Sequence, residues 1–300
     1  MRESKNAIAL LITLMFVMVI TVAIGFGLQQ VNSASKILKE ENFMYQSTLI
    51  VEDILGILKA SPDIKKIADS NSSNDLYMFL SQVAFIPFNV SDMEIILKIS
   101  SARAKFNPSH LQNDLNSSNK MRDYLNSYGV NSQYLEILAD NFGGIKDDNS
   151  YNSRIFDEKP SLFREYIASS EHLKQINDFY TQEYKDNSLS KIDFNNLFYF
   201  GSDENTTIDL NYATPEVWEM MLGVSRERAE ALSLGGGLYE SSEDLALNDE
   251  EKSSLRLFKA DYFVPILLIE VEISNKIESA KISFEYDIEN SKGSNFVYKI

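Results

Sequence analysis

Residues 7–28 have the sequence AIALLITLMFVMVITVAIGFGL, a stretch of 22 residues with no charged side chain. A helix of this length extends about 33 Å at ~1.5 Å per residue, which is enough to cross the hydrocarbon core of a bilayer. Arg2 and Lys5 precede the stretch. Basic residues before a first apolar span favour a cytoplasmic N-terminus. The sequence therefore predicts one transmembrane helix, with the remainder of the chain on the far side of the membrane.

Two general interpretations of this stretch remain open on the residues alone. A secretory signal has an apolar region of about 7–15 residues followed by a small-residue cleavage site. Here the apolar run is longer, and Ser33-Ala34-Ser35 is the candidate cleavage site. The other interpretation is an uncleaved anchor, which requires only the apolar length.

A third interpretation comes from the leader. A very short basic leader, followed directly by a small residue and apolar sequence, resembles the class III leader of type IV pilins and type II secretion pseudopilins. The resemblance implies cleavage by the prepilin peptidase between Ala7, where the family usually has Gly, and Ile8, which would be the N-methylated mature N-terminus. Most pilins carry Glu at the fifth mature position, whereas this chain has Ile12. In lacking this acid it is similar to the K-type minor pseudopilins.

Composition narrows the classes of partner. The chain has 300 residues with 28 Lys and Arg against 44 Asp and Glu, a net charge of −16. Such a chain repels phosphate backbones, so nucleic acid is not an expected partner. The sequence contains no cysteine, which excludes disulfides and thiolate metal sites.

Residues 29–61 predict an amphipathic continuation of the membrane helix. No proline interrupts the chain from Ala7 to Ser61, and Pro62 follows as a stop signal. Apolar residues recur at steps of three and four, which predicts one apolar stripe. Packing on the chain's own globular part is the preferred interpretation, and in a pilin-like chain the same helix would also pack on neighbouring subunits. The predicted stripe includes Leu38, Tyr45, Leu49, Val51, Ile54 and Leu58.

The remainder predicts an α+β fold. Residues 93–99 read as a strand, and alternation near the end of the chain predicts an antiparallel meander over 262–274, 280–288 and 296–300. Residues from about 112 to 260 carry mostly helical spacing. The predicted helices are 121–128, 131–140, 160–169, 171–184 and 215–222.

One internal segment, Thr207 to Val217, resembles a segment of K-type pseudopilins. Thr214 is a good N-cap, Pro215 suits the first helical position, and Gly223 ends the helix. Helix–hairpin–helix DNA binders share this plan. However, residues 208–261 contain 12 acidic and 5 basic residues, which favours packing against protein instead.

The resemblance implies a type IV pilin-like architecture, in which a long N-terminal helix packs on an antiparallel sheet. Residues 1–7 would be the leader, 8–28 the membrane span, and 62–110 with 262–300 the pilin-like α/β domain. Residues 111–261 would form an inserted helical domain, similar to SAM or helix–hairpin–helix modules.

The sequence shows no catalytic constellation, and no enzyme is expected. His110 and His172 belong to no recognisable metal-binding or catalytic motif, and no nucleotide-binding or hydrolase motif is present in the sequence. Asp140, Asp147 and Asp148 are weak candidates for a calcium site, because carboxylate oxygens suit Ca²⁺. A solvated acidic loop is the preferred interpretation, and no cofactor is expected.

The function implied by the resemblance is that of a minor pseudopilin. It would cap or initiate the periplasmic pseudopilus of a type II secretion system, beside the I-type and J-type minor pseudopilins. The chain would be a single-pass protein of the bacterial inner membrane with its main domain in the periplasm. The alternatives are a minor pilin of a type IV pilus, and a bitopic protein whose periplasmic domain binds ligand or acts as an enzyme.

Overall fold

The computed structural model describes residues 38, 40–148, 150–203 and 205–299. These residues form a five-stranded antiparallel sheet and three helices that cover one face of it. A block of short helices is inserted in the sequence between two strands that are neighbours in the sheet. The α+β prediction is therefore confirmed for the part of the chain that the structure describes.

The first part of the fold is a helical layer followed by a β-hairpin. Helix α1 covers residues 40–60, and Leu38 is also helical. The predicted stop at Pro62 is confirmed, because the Ser61 side chain accepts a hydrogen bond from the Ile64 amide and caps the next helix. The elements that follow are α2 (Pro62–Ser70), α3 (Ser73–Val83), β1 (Phe85–Val90) and β2 (Met93–Ser101).

The helical block occupies residues 102–265. Its elements are α4 (His110–Asn113), α5 (Leu115–Ser127), α6 (Gln133–Asp140), α7 (Ile155–Glu158), α8 (Ser170–Tyr184), a 3₁₀ helix (Ser188–Lys191), α9 (Phe194–Leu197), β3 (Ile208–Asp209), α10 (Pro215–Leu222), α11 (Arg226–Leu234), α12 (Asp249–Leu255) and β4 (Ala260–Asp261), with β3 and β4 paired in parallel.

The helix predicted over residues 160–169 is wrong. The Arg164 carbonyl accepts a hydrogen bond from the Gly144 amide at 2.8 Å, so it serves a neighbouring loop. The Arg164 guanidinium donates to the Pro160 carbonyl at 2.7 Å and stacks 3.9 Å from the centre of the Phe156 ring. These contacts hold the segment in an irregular conformation.

The last three strands are β5 (Ile266–Ser274), β6 (Ser279–Asp287) and β7 (Lys292–Lys299), which confirms the predicted meander, although β7 begins four residues before the predicted start at 296. The strand order is β1-β2-β5-β6-β7, with every pair antiparallel. The predicted first strand starts later than expected, at Ile266, because Pro265 precedes it and Val264 donates its amide to Asp209.

Side chains alternate across the sheet, so that one face is apolar and the other polar. The apolar face packs under α1, α2 and α3 through a cluster of buried residues that includes Ile64, Leu76, Ile95, Val271 and Phe284. On the polar face, Lys98 donates to Glu272 at 2.9 Å across neighbouring strands. A second buried cluster fills the helical block around Tyr134, Tyr180, Trp218 and Met221.

Candidate docking surface on the first helix

Helix α1 has two apolar faces instead of the single stripe that the sequence predicted. One face packs on the sheet through side chains that are at most 8% exposed: Phe43, Ile50, Val51, Ile54 and Leu58. On the other face, Leu38, Tyr45 and Leu49 are 65%, 64% and 40% exposed. The one-stripe prediction is wrong because large apolar residues occupy more of the helix circumference than the sheet can cover.

Three of the four large apolar residues exposed on α1 lie on one side of the helix and are here called the outer row; the fourth, Ile57, is 68% exposed and lies about 100° away around the helix. Leu38, Tyr45 and Leu49 are separated by steps of seven and four residues, which return to the same side of a helix with 3.6 residues per turn. The row is about 16 Å long at ~1.5 Å per residue. Exposed Glu41 and Glu52 flank it. An apolar row with a charged border is the form taken by helix faces that dock on another protein.

The edge of the sheet beside α1 is also apolar. Strand β7 pairs only with β6 within the described sheet, and Phe296, Val297 and Tyr298 are 41–42% exposed. A methyl group on Gly293 of β7 would lie 2.9 Å from Leu55 of α1. Helix α1 and this edge strand are therefore neighbours. At the opposite edge, β1 contains Pro87, which cannot donate a backbone hydrogen bond and so protects that edge.

A buried ion pair connects the helical block to the sheet. The Arg103 guanidinium donates to the Glu285 carboxylate at 2.8 Å, and Tyr199 donates its hydroxyl to the other oxygen of Glu285 at 2.6 Å. Burial favours a neutral guanidinium, but the hydrogen bond and charge of Glu285 outweigh it and raise the pKa of Arg103. Burial, with the charge of Glu285, also raises the pKa of Tyr199.

Sequence reasoning missed this pair. Arg103 follows directly after β2, and Glu285 lies on β6 in register with Ser294 and Leu268. The two residues are 182 positions apart, so only the strand register brings them together. The one available signal was a lone arginine at the point where the predicted strand gives way to the helical block.

The predicted segment around residue 211 forms a second junction. Asp209 accepts hydrogen bonds from the amides of Asn211 and Val264, both at 3.0 Å. Burial raises the pKa of Asp209 to about 7. The Asn211 side-chain amide donates to the carbonyls of Tyr239 and Tyr262 at 2.8 and 2.6 Å. The segment therefore joins three parts of the chain, which agrees with a role in packing.

The helix that follows this segment matches its prediction. Thr214 accepts a hydrogen bond from the Val217 amide, Pro215 is the first helical residue, and Gly223 ends α10 with a φ of 68°. Glu216 is buried and accepts from Arg226 at 2.8 Å, so it forms an ion pair in addition to lying near the helix N-terminus.

The three acidic residues named as weak calcium candidates have separate surroundings. Asp140 is buried, and its two oxygens accept hydrogen bonds from the backbone and side chains of Asn152 and Ser153. Asp147 and Asp148 are exposed, and Asp148 accepts from the Ser150 amide. Among the described residues, no group of three or more His, Asp or Glu is arranged to hold a metal ion. Calcium binding stays a prediction.

The two histidines lie in different helices, α4 and α8. The His110 ring packs edge-on against Phe106. His172 is buried, its Nδ1 accepts a hydrogen bond from the Ala168 amide, and burial lowers its pKa. His172 is therefore part of the core of the helical block.

The predicted leader and membrane span lie outside the described residues, and so do Ala7, Ile8 and Ile12. Within residues 38, 40–148, 150–203 and 205–299, no helix has both the length and the apolar character needed to cross a membrane.

Comparison with solved structures shows a likeness of fold. The fold is similar to a chain in the crystal structure of the GspK–GspI–GspJ complex from the type 2 secretion system of enterotoxigenic Escherichia coli. The TM-score is 0.53 at 12% sequence identity, and the alignment covers 87% of this chain and 99% of that chain. At this identity the likeness shows a shared fold. No protein-family model and no curated protein sequence matches the chain.

Proposed function

We propose that this chain is a K-type minor pseudopilin, which caps or initiates the pseudopilus of a type II secretion system in complex with I-type and J-type minor pseudopilins. The observation that carries the proposal is the fold likeness, because it extends over 87% of this chain and nearly all of the matched one. The leader and the Thr207–Val217 segment support the same proposal, because their sequences resemble the same family.

The outer row on α1 supplies the physical basis for assembly. One face of α1 is used to hold the chain's own sheet, and the outer row presents apolar side chains on the opposite side. Burying an exposed apolar side chain stabilises a complex by about 25 cal/mol per Å² removed from water. We propose that the partner pseudopilins cover the outer row and the adjacent β7 edge.

The proposed place at the tip of the filament depends on two further features. Ile12 stands where most pilins have an acid, so this subunit would have no carboxylate to pair with the terminal ammonium of a neighbour. The helical block, within which we propose an inserted domain over residues 111–261, adds bulk that would obstruct a further subunit. Cleavage after Ala7, an inner-membrane span and a periplasmic main domain complete the proposal. No enzymatic activity is included.

The test is assembly with defined partners. The full-length chain is co-expressed with the I-type and J-type minor pseudopilins of its own organism, and the complex is isolated through a tag on the I-type subunit. We expect a stoichiometric ternary complex. Tyr45→Glu with Leu49→Glu should abolish it, because two charges would then lie in the apolar contact.

The control uses two apolar residues outside the outer row that are more exposed than Tyr45 and Leu49: Leu115 and Ile145, each 81% exposed. Leu115→Glu with Ile145→Glu should leave the complex intact. A wild-type chain that never joins the complex, or an outer-row variant that assembles normally, would overturn the proposal. Mass spectrometry of the N-terminus separates cleavage after Ala7, cleavage after Ala34 and no cleavage.

A further inference from the structure

The segment Leu234–Leu238, here called the loop, begins at the last residue of α11 and packs closely on the rest of the chain at its glycines. A methyl group on Gly236 would lie 2.2 Å from the Asn211 carbonyl oxygen, and one on Gly237 would lie 2.0 Å from the Tyr77 ring. Gly237 also has a φ of 90°, which disfavours any other residue. The glycines therefore let the loop lie directly on the Asp209 junction and on α3.

Hydrogen bonds fix the far end of the same loop. The Tyr239 amide donates to the Asn211 side-chain oxygen at 2.8 Å, and the Tyr239 carbonyl accepts from the Asn211 side-chain nitrogen at 2.8 Å. The Tyr239 hydroxyl donates to the Leu232 carbonyl at 2.8 Å. The conformation is therefore set before any partner arrives, which lowers the entropy that binding would cost.

This fixed loop holds two leucines in solvent. Leu234 is 87% exposed and Leu238 is 65% exposed, while their neighbours Leu232 and Tyr239 are buried. Tyr77, on which Gly237 lies, is itself 37% exposed and extends the apolar surface onto α3. Two leucines on a glycine-rich loop would be free to fold inward if the loop were mobile. Here Gly236 and Gly237 lie too close to Asn211 and Tyr77 to admit a side chain, and the two leucines beside them are exposed.

Acidic residues outnumber basic ones in the part of the chain that contains these leucines. Residues 226–252 contain eight Asp and Glu against three Lys and Arg. Arg226 and Arg228 are already paired with glutamates of this region and of α10. Exposed Glu240, Glu243 and Asp244 follow directly after the loop. Asp244 accepts hydrogen bonds from the amides of Glu240 and Ser241, and these bonds lower its pKa and keep it charged.

We propose that Leu234 and Leu238 form a docking site for a segment of another protein that combines apolar side chains with Lys or Arg. The negative charge of this region selects a partner segment that carries basic residues. A second copy of this chain would bring the same acids together, and an anionic lipid surface would also be repelled. An apolar segment flanked by basic residues could pack on the two leucines and form ion pairs with the nearby carboxylates. The proposal goes beyond pseudopilus assembly, since it uses neither the outer row nor β7.

The test measures binding of designed fluorescent peptides to the full-length chain in nanodiscs of zwitterionic lipid. The probe peptide alternates leucine pairs with lysines. A second peptide carries glutamate in place of lysine, and a third carries serine in place of leucine. We expect the probe to bind at least about tenfold more tightly than either of the others, with empty nanodiscs subtracted.

Variants then locate the site. Leu234→Ser with Leu238→Ser should weaken probe binding about tenfold or more, a loss equal to about 1.4 kcal/mol. Glu240→Gln with Glu243→Gln should weaken it and reduce its dependence on salt. The control is Leu115→Ser with Ile145→Ser, which removes exposed apolar groups elsewhere and should leave binding unchanged. Circular dichroism confirms that all variants are folded, which is expected because the substituted side chains are exposed.

Three outcomes would overturn the proposal. The first is equal binding of the probe and the serine peptide, which would mean attraction by net charge alone. The second is unchanged binding by the leucine variant. The third is leucine-dependent self-association of the wild-type chain in light scattering, which would make a second copy the occupant. Each of these outcomes is compatible with assembly through α1, so failure here is distinct from failure of the proposed function.

Discussion

The Arg103 guanidinium lies 2.8 Å from the Glu285 carboxylate, and the two side chains are only 4% and 6% exposed. This contact joins the start of the helical block to the fourth strand of the sheet. An ion pair buried this deeply depends on both partners, because a single charge left without the other is costly in an apolar interior.

Replacing one member of this pair should destabilise the fold strongly. Arg103→Met is expected to lower the free energy of unfolding by about 3–5 kcal/mol, since Glu285 is then buried without a cation. Adding Glu285→Met should recover part of the loss. The measurement is urea unfolding of the full-length protein.

An exposed pair serves as the control for that experiment. Lys174 and Asp178 lie 2.7 Å apart, with side chains 73% and 48% exposed. Lys174→Met should change the free energy of unfolding by about 1 kcal/mol or less. Equal effects from Arg103→Met and Lys174→Met would contradict the role given to the buried pair.

The buried Asp209 carboxyl should make stability depend on pH. Its pKa is raised to about 7 by burial, whereas an unfolded aspartate has a pKa of about 3.9. The folded state then binds more protons than the unfolded state between these values. Stability from this group is therefore full below about pH 4 and is lost as the pH rises through about 7.

Asp209→Asn should remove this dependence, because asparagine does not titrate. We expect the stability of the wild type relative to the variant to fall from about pH 5 to about pH 8, as measured by urea unfolding. The comparison uses the slope of the free energy of unfolding against pH, because the asparagine amide also changes the contact with Val264 at every pH. Parallel curves for the two proteins would show that Asp209 titrates normally.

Two glycines should respond oppositely to alanine. Gly236→Ala places a methyl group 2.2 Å from a backbone oxygen and should destabilise the fold by about 1–3 kcal/mol. Gly56→Ala, in the middle of α1 with no atom within 4 Å of the new methyl, should stabilise it by about 0.5–1 kcal/mol. Thermal unfolding of both variants checks the sign, and a destabilising Gly56→Ala would contradict the described helix.

Substitutions on the two faces of α1 should have different effects on the stability of the fold. Ile54 is 5% exposed, and Ile54→Ala should lower the free energy of unfolding by about 2–5 kcal/mol. Leu49 is 40% exposed on the outer row, and Leu49→Ala should lower the free energy of unfolding by about 0.5 kcal/mol or less. Chemical denaturation of the uncomplexed chain provides the test. A large effect at Leu49 would mean that the chain itself already covers the outer row.

Local signals in the sequence predicted elements that depend on local chemistry. The cap at Thr214, the start at Pro215 and the stop at Gly223 require only neighbouring atoms, and all three are confirmed. Alternation also located β5, β6 and β7, since the period of a strand is visible in a few residues. Strand β1 was missed, because six residues that include Pro87 give too short and too interrupted a pattern.

Features set by distant contacts could not be predicted. Helical periodicity does not say how much of an apolar helix the sheet will cover, so the outer row was assigned to the buried stripe. The Arg103–Glu285 pair requires the register of β6, and the irregular conformation at Arg164 requires the loop at Gly144. In each case a partner far along the chain decided the outcome.

The separation of β2 from β5 has a consequence for how the protein is made. These neighbouring strands pair across distances such as the 174 positions between Lys98 and Glu272. During synthesis, the first hundred residues would leave an apolar sheet edge waiting until the final strands emerge, and such long-range pairing is slow and prone to aggregation.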